Sequence, residues 1–571
     1  MKVLFSAAHF GYFRNFESVI VSLVSRGHTV HLAADEPDSV GGKELVERLA
    51  LQHEGVTFGY APSLDNEPWF RLARKLRSAG DYIRFHHPAF ASFGKMRLTL
   101  RDRLPRVVLR LMDGGVGRSA HGRKLLWNVL RLAERAMPIS AASRAFIEDQ
   151  DPDVVLFASV TAWRVPQIDH LRVAKAMGRR TGICVFSWDH LSSKALLRSV
   201  PDRVFLWNDT QKREAIEWHG MPADRIVVTG AQCYDQWFDR RPSRDRASFC
   251  RAVGLDPDCK MLLYVCSVMT PNPYESRFVV RWIEEVRHSD DPDLRNAAIL
   301  VRPHPERMEE WKDVSLTRCE NVAFYGRNPV SPDSQADYFD SFFYSHAVVG
   351  IVTSAFLEGA IVGRPVYSPL LPEFQMYQEG VQHFRYLMEV EGGLLRVTRT
   401  LEEHLADLSA AVCKPVERDA QNRRFIQSFV RPEGLETAAT PSFVAAVEAL
   451  AAEPPPVPAA LPVWHRLVQP AVARVSRSSE TGWLRPVFRD MPEATNDRAQ
   501  AAKTAHKERA AADRAGRLAV KQQLLEARRQ ERRRAQRSAA ARTRVDRMNT
   551  RVRKHVARLK GRVKALIGYA S

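Results

Sequence analysis

Continuous apolar segments alternate with amphipathic segments along most of this chain, and this alternation constrains the fold more than any other feature. The first 35 residues already show the order strand, helix, strand, with KVLFSAA, FESVIVSLVSRGH and TVHLAAD in succession. The pattern resumes at 151–231, and a second series runs from about 260 to 369. Apolar runs without a polar face are typical of strands buried on both sides, which form parallel sheets when helices join them. The sequence therefore predicts an α/β protein with two successive parallel sheets.

Composition divides the chain into four parts. The polar segment 236–258 separates the two series, and the proline-rich stretch EPPPVPAALP cannot continue a helix. The last part is dominated by Ala, Arg, Lys, Gln and Glu, which favours a long exposed helix. The predicted parts are an N-terminal domain (1–235), a C-terminal domain (236–450), a proline-containing linker (451–494) and a basic helical tail (495–571). Within the first domain, residues 66–145 are rich in Arg and Leu and are predicted to be mostly helical.

The formal charge of +19 belongs almost entirely to the tail. From residue 495 onward the chain has 23 lysines and arginines against 6 acidic residues, so the tail carries +17 and the remainder +2. Apolar residues recur there at three- and four-residue spacing, which predicts a basic amphipathic helix: Val552, Val556, Leu559, Val563 and Leu566. Such a run is by default a solvated helical face, and as a functional feature it would contact anionic lipid or nucleic acid. Few aromatic residues lie among the cations, so no specific nucleic-acid binding is predicted.

Several classes of protein do not fit the sequence. No run approaches the eighteen or so apolar residues of a membrane span, and the N-terminus is better explained as a buried first strand than as a signal peptide. The seven cysteines are scattered and never form a C-x-x-C pair, which argues against a disulfide scaffold or a zinc site. We therefore expect a cytoplasmic protein without a zinc site, whose tail is available for peripheral contact with the inner face of the membrane.

Ligands of open parallel sheets bind at the carboxyl ends of the strands, so the residues after each strand are the first candidates. The segment SAAHFGYFRN follows the first strand. Gly11 would let a ligand approach the backbone, His9 and Arg14 could reach it, and the next helix N-terminus favours anions. An ordinary turn with exposed polar residues explains the same segment equally well.

The segment WDHLSSK follows the strand GICVFS. Asp189 or His190 could act as a general base here, with Lys194 as a partner for phosphate or carboxylate. The alternative is that Asp189 only caps a short helix.

The segment VRPHPE in the second series is the strongest of these signals. Arg302 offers forked donors for phosphate oxygens. Two prolines restrict the backbone around His304, whose imidazole could donate to a phosphate or act as an acid. The alternative is a broken strand with solvated side chains.

Two further strand ends of the second series carry polar residues. Ser267 and Glu275 flank a proline-rich turn, where Glu275 could bind a ligand or merely occupy a first helical turn. Thr353 and Ser354 stand at a strand end and helix start, and Glu358 lies one turn further. Hydroxyls and free helix N–H groups could hold a diphosphate while the carboxylate binds sugar hydroxyls. An N-cap with an incidental glutamate is the simpler interpretation.

These segments together resemble bacterial GT-B-type glycosyltransferases, in particular those of surface or capsular polysaccharide synthesis. The residues that carry the resemblance are GICVFSWDHLSSK, QKREAIEWHGMPADRIVVTGAQCYDQW, LLYVCS…PYE, VRPHPE and VVGIVTSAFLEGAIVGRP, and it spans about 1–450. The chain is more loosely similar to CDP-glycerol glycerophosphotransferases, but it lacks the His-Gly pair typical of their N-terminal loop. UDP-N-acetylglucosamine 2-epimerases share the double fold, but their early G-T-R-P-E type segment has no counterpart here.

The resemblance implies two Rossmann-like domains facing a cleft, with a nucleotide-diphosphate sugar as substrate and no cofactor or bound metal. It places the catalytic base at Asp189 or His190, with His304 at the donor phosphates. It assigns further residues to the donor side (Arg302, Ser267, Glu275, Thr353, Ser354 and Glu358) and to the acceptor side (His9, Gly11, Arg14 and Lys194). The expected activity is sugar transfer to a polysaccharide or lipid-linked acceptor. Glycerophosphate transfer, or a non-catalytic scaffold that binds nucleotide sugars, remains the alternative.

Overall fold

The computed structural model describes residues 1–37, 41–101, 103–158, 160–161, 165–268, 275–314, 316, 320–326, 329, 331–413, 420–458, 463–480 and 551–561. Residues Met1–Asp490 form one compact unit and Met491–Ser571 a second. The first unit contains two parallel sheets flanked by helices, which confirms the predicted fold class.

Seven parallel strands form the first sheet. They are β1 (Lys2–Ala7), β2 (Thr29–Ala34), β3 (Val56–Tyr60), β4 (Val154–Phe157), β5 (Arg180–Cys184), β6 (Arg203–Leu206) and β7 (Ile226–Val228). Their order is β3-β2-β1-β4-β5-β6-β7, and Val3 of β1 pairs with Val30 on one side and Val154 on the other. The chain order reverses between β1 and β4, and ligands of such sheets bind at this switch point.

Helices cover both faces of this sheet. They are α1 (Glu17–Ser25), α2 (Gly42–Gln52), α3 (Pro68–Arg84), α4 (Gly94–Arg101), α5 (Arg106–Asp113), α6 (Gly115–Arg118), α7 (Ala120–Arg135), α8 (Ala141–Gln150), α9 (Gln167–Ala176), α10 (His190–Ser193), α11 (Asp209–Glu217) and α12 (Asp235–Asp239). Six of them, α3 to α8, lie between β3 and β4 and form the helical block expected for 66–145. Arg77 of α3 ties this block to α9, because its guanidinium donates to both oxygens of Asp169 at 2.8 and 2.7 Å.

The second sheet has six parallel strands. They are β8 (Met261–Val265), β9 (Ala298–Arg302), β10 (Val322–Phe324), β11 (Ala347–Val349), β12 (Val366–Pro369) and β13 (Leu395–Thr398). Their order is β10-β9-β8-β11-β12-β13, with a switch point between β8 and β11. The associated helices are α13 (Arg246–Val253), α14 (Glu275–Arg287), α15 (Pro292–Arg295), α16 (Pro332–Phe343), α17 (Ala355–Ile361), α18 (Gln382–Glu389), α19 (Leu401–Cys413) and α20 (Ala420–Phe429).

Short 3₁₀ helices occupy several connections. They span Phe10–Phe16, Pro88–Phe90, Ala223–Arg225, Gln232–Tyr234, Pro305–Trp311, Pro372–Phe374 and Val390–Gly392. The first and the fifth of these directly follow β1 and β9, so they lie at the carboxyl edges of the two sheets.

Two helices after the second sheet return to the first. In α21 (Ala439–Ala452), Phe443 and Val447 join the core beneath β1 and α1, and Thr440 shares a 2.8 Å hydrogen bond with Ser18. In α22 (Val463–Glu480), Val472 packs with Phe70 of α3. The segment predicted as a linker therefore contains a helix that packs on the N-terminal half of the chain.

Asp235 of α12 lies where the chain crosses between the two sheets. Its buried carboxylate accepts hydrogen bonds from the backbone N–H groups of Ala439 and Thr440 at 3.0 and 2.7 Å. It also accepts from the Thr440 hydroxyl at 2.7 Å and from Arg431 at 3.0 Å. One carboxylate thus fixes the start of α21 and neutralises a buried guanidinium.

The second unit is helical over 551–561, where Val552, Val556 and Leu559 are exposed. The rest of the predicted tail helix, including Val563 and Leu566, lies outside the described residues. Across the described part of the chain, no helix combines the length and apolar character that crossing a bilayer requires. The six cysteines in that part are free thiols.

Candidate functional site

The carboxyl edges of the two sheets face each other across a cleft, as a ring contact and two charge effects between residues of the two domains indicate. Trp188, after β5, packs its ring against His383 of α18 with centroids 4.9 Å apart. The charge of Arg14, after β1, reaches two groups of the other domain: it adds to the lowering of the His304 pKa and opposes the raising of the Glu358 pKa. Arg14, predicted for the acceptor side, therefore lies near His304 and Glu358, which were predicted for the donor side.

The segment that follows β1 forms one side of the cleft and contains several aromatic side chains. His9 lies two residues after the end of β1 and stacks on Tyr12 with ring centroids 4.0 Å apart. Gly11 is buried in the 3₁₀ helix Phe10–Phe16, whereas Arg14 of the same helix is exposed. The Tyr12 pKa is raised by burial, and the charges of Lys194 and Arg14 oppose this shift. Tyr12 therefore lies within electrostatic reach of both cations predicted for the acceptor side.

The Asp189 carboxylate lies at the centre of the loop after β5. It accepts hydrogen bonds from Ser187 Oγ at 2.5 Å and Ser193 Oγ at 3.0 Å, and Lys194 Nζ lies 3.6 Å away. It makes no hydrogen bond that caps α10, so helix capping does not explain its presence. Burial would raise its pKa, but the charge of Lys194 and the hydrogen bond from Ser187 act against burial, and the pKa is held below the usual range. Asp189 is therefore an anion at neutral pH.

His190 is the buried neighbour of this carboxylate. Burial lowers its pKa to about 4 although the charge of Asp189 favours the protonated ring, so the imidazole is neutral at pH 7. Its ring edge packs against Phe186 with centroids 4.4 Å apart. Between the two candidate bases, Asp189 is the accessible one, with 21% of its side chain exposed.

The loop that carries Asp189 is held from the helical block. Arg84, at the end of α3, donates to the carbonyl oxygens of Leu191 at 2.6 Å and Lys194 at 3.2 Å. Asp81, one turn earlier, accepts from Leu196 N at 3.0 Å. Residues far from this loop in sequence thus determine where the Asp189 carboxylate lies.

His304 lies at the end of β9 as predicted. Its Nδ1 accepts a hydrogen bond from the backbone N–H of Glu306 at 3.3 Å, so the ring caps the 3₁₀ helix Pro305–Trp311. Burial lowers its pKa, the charge of Glu306 opposes this, and Arg14 adds to it. Because Nδ1 accepts, the neutral ring carries its proton on Nε2, where it can donate to a ligand.

Arg302 does not have the position that a phosphate ligand needs. Its side chain is buried, with NH1 donating to Ser341 Oγ at 2.7 Å and the guanidinium 4.9 Å from the centre of the Tyr338 ring. Gly326 leaves room for it, since a Cβ there would lie 2.7 Å from the guanidinium carbon. The predicted donor-phosphate contact of Arg302 is therefore replaced by a role beneath the cleft, supporting α16.

We expect Arg302→Ala to lower the free energy of unfolding by about 2–3 kcal/mol, because it removes a buried hydrogen bond and ring contact and leaves a cavity. Urea denaturation measures this change. Arg251→Ala, on the exposed face of α13, serves as the control and should stay near wild type. Unchanged stability of Arg302→Ala, together with lost ligand binding, would restore the phosphate role.

Glu358 lies beside Tyr338 in the C-terminal wall. Its Oε2 accepts a 2.6 Å hydrogen bond from the Tyr338 hydroxyl. Burial raises the Glu358 pKa to about 7, although this hydrogen bond and the charges of Arg14 and Arg302 act in the opposite direction. At neutral pH the group is divided between carboxyl and carboxylate, so it can donate to or accept from a sugar hydroxyl.

Thr353 and Ser354 flank the start of α17. Thr353 Oγ1 accepts from the backbone N–H of Ala355 at 3.3 Å, while Ser354 is exposed and makes no side-chain cap hydrogen bond. The phosphate contacts predicted for both residues stay predictions. The described geometry leaves Ser354 accessible and uses Thr353 partly as a local cap.

Ser267 and Glu275 form a buried brace rather than a ligand surface. Glu275 accepts from Ser267 N at 2.7 Å and from the Tyr264 hydroxyl at 3.0 Å, and burial raises its pKa to about 7. Ser267 Oγ in turn accepts from Val352 N at 3.1 Å. The donor contacts predicted for this pair do not fit, because their polar atoms join the ends of β8 and β11.

Two cleft residues were not anticipated from the sequence. His383 is shifted by burial to a pKa of about 4, and the charges of Lys194 and Lys95 push in the same direction. Lys95 of α4 places its Nζ 4.3 Å from the centre of the Tyr377 ring, and burial lowers its pKa to about 8. Lys95 lies in an Arg- and Leu-rich helical segment and His383 at an unremarkable helix start, so no local motif marks either.

The cleft residues do not include a set of metal ligands in the described part of the chain. There, the group whose ligand atoms lie within 4.8 Å of one another consists of Asp291, Asp293 and Cys413. Asp291 and Asp293 precede β9, Cys413 is the last residue of α19, and Asp291 caps α15. Metal independence stays a prediction.

Comparison with known proteins gives only distant structural likenesses. No family profile and no curated protein sequence matches the chain. A glycosyltransferase from Rickettsia africae ESF-5 has 11% identity and a TM-score of 0.45, covering 79% of this chain and 99% of that one. The UDP-GlcNAc 2-epimerase from Methanocaldococcus jannaschii has 12% identity and a TM-score of 0.45 over 79% and 99% of the two chains. WaaG, a glycosyltransferase involved in lipopolysaccharide biosynthesis, has 12% identity and a TM-score of 0.41 over 79% and 100%. Likenesses of this size assign neither an activity nor a substrate to this chain.

Proposed function

We propose that the protein transfers a sugar from a nucleotide diphosphate to a hydroxyl group of a polysaccharide or lipid-linked acceptor. The observation that carries this proposal is the composition of the two walls of the cleft. An accessible, ionised carboxylate, Asp189, lies on one side, and His304 and Glu358 lie on the other, within the electrostatic reach of Arg14. Asp189 can accept a proton from a hydroxyl group, Arg14 and His304 can bind a diphosphate, and Glu358 can bind a sugar.

On the donor side, Arg14 and His304 bind the diphosphate. Arg14 is exposed and its guanidinium offers forked N–H donors to phosphate oxygens, and His304 donates from Nε2. Glu358 binds hydroxyl groups of the sugar. Because its pKa is about 7 and not the usual value, it places less negative charge beside the diphosphate than an ordinary glutamate would.

On the acceptor side, Asp189 accepts the proton of the attacking hydroxyl. The acceptor oxygen forms its bond to the anomeric carbon while the bond from that carbon to the diphosphate breaks, and the electron pair leaves with the diphosphate. Arg14, with Lys95 and Lys194 nearby, stabilises the negative charge that develops on the leaving group. The low pKa of Asp189 makes it a weak base, so proton transfer occurs late, when the attacking hydroxyl has become acidic. Since these cations neutralise the diphosphate, the proposal requires no bound metal.

The test combines ligand stabilisation with turnover. We expect one nucleoside diphosphate or its sugar to raise the melting temperature of the wild-type protein, since a ligand that binds only the folded state stabilises it by mass action. His304→Ala should lose most of this shift and lower turnover of that donor by about tenfold or more, because a positioned donor to the leaving group is removed. His288→Ala, on the surface at the end of α14, is the control and should retain both.

Each alternative has its own result in the same experiment. Binding of a nucleotide sugar with no turnover across a panel of acceptors would favour a non-catalytic scaffold. Turnover of CDP-glycerol in place of nucleotide sugars would favour glycerophosphate transfer. No response to any nucleotide, or wild-type turnover in His304→Ala, would overturn the assignment.

We also infer a cytoplasmic location, with the tail available for peripheral contact with the inner face of the membrane. The support is chemical: Val552, Val556 and Leu559 share one side of a helix that carries Arg and Lys and no acidic residue over 551–561. This is the composition of helices that lie in the interface of anionic bilayers.

A further inference from the structure

Helix α7 is apolar on two sides, although a surface helix needs only one apolar side. Its inner side is packed, with Leu126, Trp127 and Leu130 lying against the cluster formed by α3, α4 and α5. Its outer side presents Leu125 and Val129, which are 60% and 55% exposed. Leu132, one turn further, is 52% exposed, so these three residues form a stripe at positions i, i+4 and i+7.

Cations border this apolar stripe. Lys124, Arg131 and Arg135 are exposed on one flank of α7. At a helical period of 3.6 residues they lie on the same side of the stripe. Among the described residues none of the three forms an ion pair. We refer to the stripe and these three cations as the α7 face.

The helices that precede α7 also expose apolar side chains and arginines. Exposed apolar side chains occur at Leu98 of α4, Leu111 of α5 and Val116 of α6. Exposed arginines accompany them, at Arg101, Arg106, Arg110 and Arg118. Over residues 94–135 the chain has 11 lysines and arginines against 3 acidic residues. This segment therefore holds a strong local positive charge inside a body whose net charge is only +2.

We propose that the α7 face docks on an anionic phospholipid bilayer. Apolar side chains in a continuous stripe would enter the acyl boundary, while the flanking cations would meet lipid phosphates. Charge complementarity decides between occupants: the α7 face of a second copy would offer more cations and no exposed carboxylate, since Glu134, the acidic residue of α7, is buried. An anionic lipid surface supplies both the apolar medium and the opposite charge.

Docking here would hold the acceptor side of the cleft at the membrane. The same helical block fixes the loop of Asp189, because Arg84 at the end of α3 donates to the carbonyls of Leu191 and Lys194. The α7 face therefore belongs to the structural element that positions the candidate base. Docking itself is independent of the proposed function, since it needs neither a donor nor turnover.

Co-sedimentation of the full-length protein with vesicles tests the proposal. The tail must first be silenced in the intact chain, by changing all 23 of its lysines and arginines to Gln and Val552, Val556, Leu559, Val563 and Leu566 to Ser. In this background we expect binding to phosphatidylcholine vesicles containing about 30 mol% phosphatidylglycerol, and about tenfold less to phosphatidylcholine alone. Adding L125Q, V129Q and L132Q should lower binding about tenfold or more. Glutamine preserves helix propensity, so circular dichroism and the melting temperature should not change.

A matched control separates the stripe from apolar surface in general. L51Q and V457Q remove two side chains that are 88% exposed but stand outside the α7 face, and they should leave vesicle binding intact. Three results would overturn the proposal: no vesicle binding once the tail is silenced, equal binding to neutral and anionic vesicles, or binding unaffected by the three α7 substitutions. Sedimentation velocity tests whether a second copy of the chain binds the α7 face instead. A dimer that the α7 substitutions dissociate, in a protein that does not bind vesicles, would assign the face to a second copy.

Discussion

Asp189→Asn is expected to lower kcat by about 100-fold or more while changing KM for the donor only slightly. The substitution removes the negative charge that accepts the proton of the attacking hydroxyl, and general base catalysis typically contributes a factor of this size. The loop should keep its position, because Arg84 holds it through the backbone carbonyls of Leu191 and Lys194. Steady-state turnover of the donor that gives the largest thermal shift measures the effect.

Asp224→Asn provides the control for this experiment. Its side chain is 76% exposed in the connection before β7, and its change should leave kcat at the wild-type value. If Asp189→Asn retains wild-type kcat, the proton goes elsewhere, and His190 becomes the next candidate. Loss of folding in Asp189→Asn would show instead as a lowered melting temperature, which is measured on the same sample.

Asp235→Ala is expected to cost about 3–5 kcal/mol of unfolding free energy. The substitution leaves the buried Arg431 guanidinium without its counter-ion, and removing one partner of a buried ion pair has a cost of this order. It also leaves the N–H groups of Ala439 and Thr440 without acceptors at the start of α21. Because α21 contributes Phe443 to the core of the first sheet, the loss of stability should affect both domains.

Asp239→Ala tests whether the effect belongs to Asp235 itself. Both residues lie in α12, but Asp239 is exposed, so its replacement should change stability by less than about 0.5 kcal/mol. Equilibrium urea denaturation compares the two variants. Equal stabilities would mean that α21 is held by its apolar contacts alone.

The strand signals were dependable because they depend on local pattern. Buried parallel strands need apolar residues on both faces, so segments such as KVLFSAA and NAAILVR are visible without tertiary information. The positions of His9, Asp189 and His304 follow from the same logic, since each lies within about five residues after the end of such a strand. The resemblance of these segments to GT-B-type enzymes added the expectation of two facing domains, and the two sheets confirm it.

Side-chain roles were less predictable, because a strand end does not tell whether a polar group faces the cleft or the interior. Arg302 and Glu275 both stand at strand or helix ends, yet both are buried. Arg302 lies against Tyr338, and Glu275 braces the Ser267 backbone. Their partners are distant in sequence, so local spacing could not distinguish a ligand from a structural group.

The sequence by itself determined the two-sheet plan, the strand ends from which the cleft is built and the concentration of charge in the tail. Each follows from periodicity or composition, which act over a few residues. Only the tertiary structure decided that Lys95 and His383 enter the cleft and that Leu125 and Val129 of α7 stay exposed. These outcomes depend on which surfaces meet when segments hundreds of residues apart pack together, and burial then sets the pKa of each group and the partner it contacts.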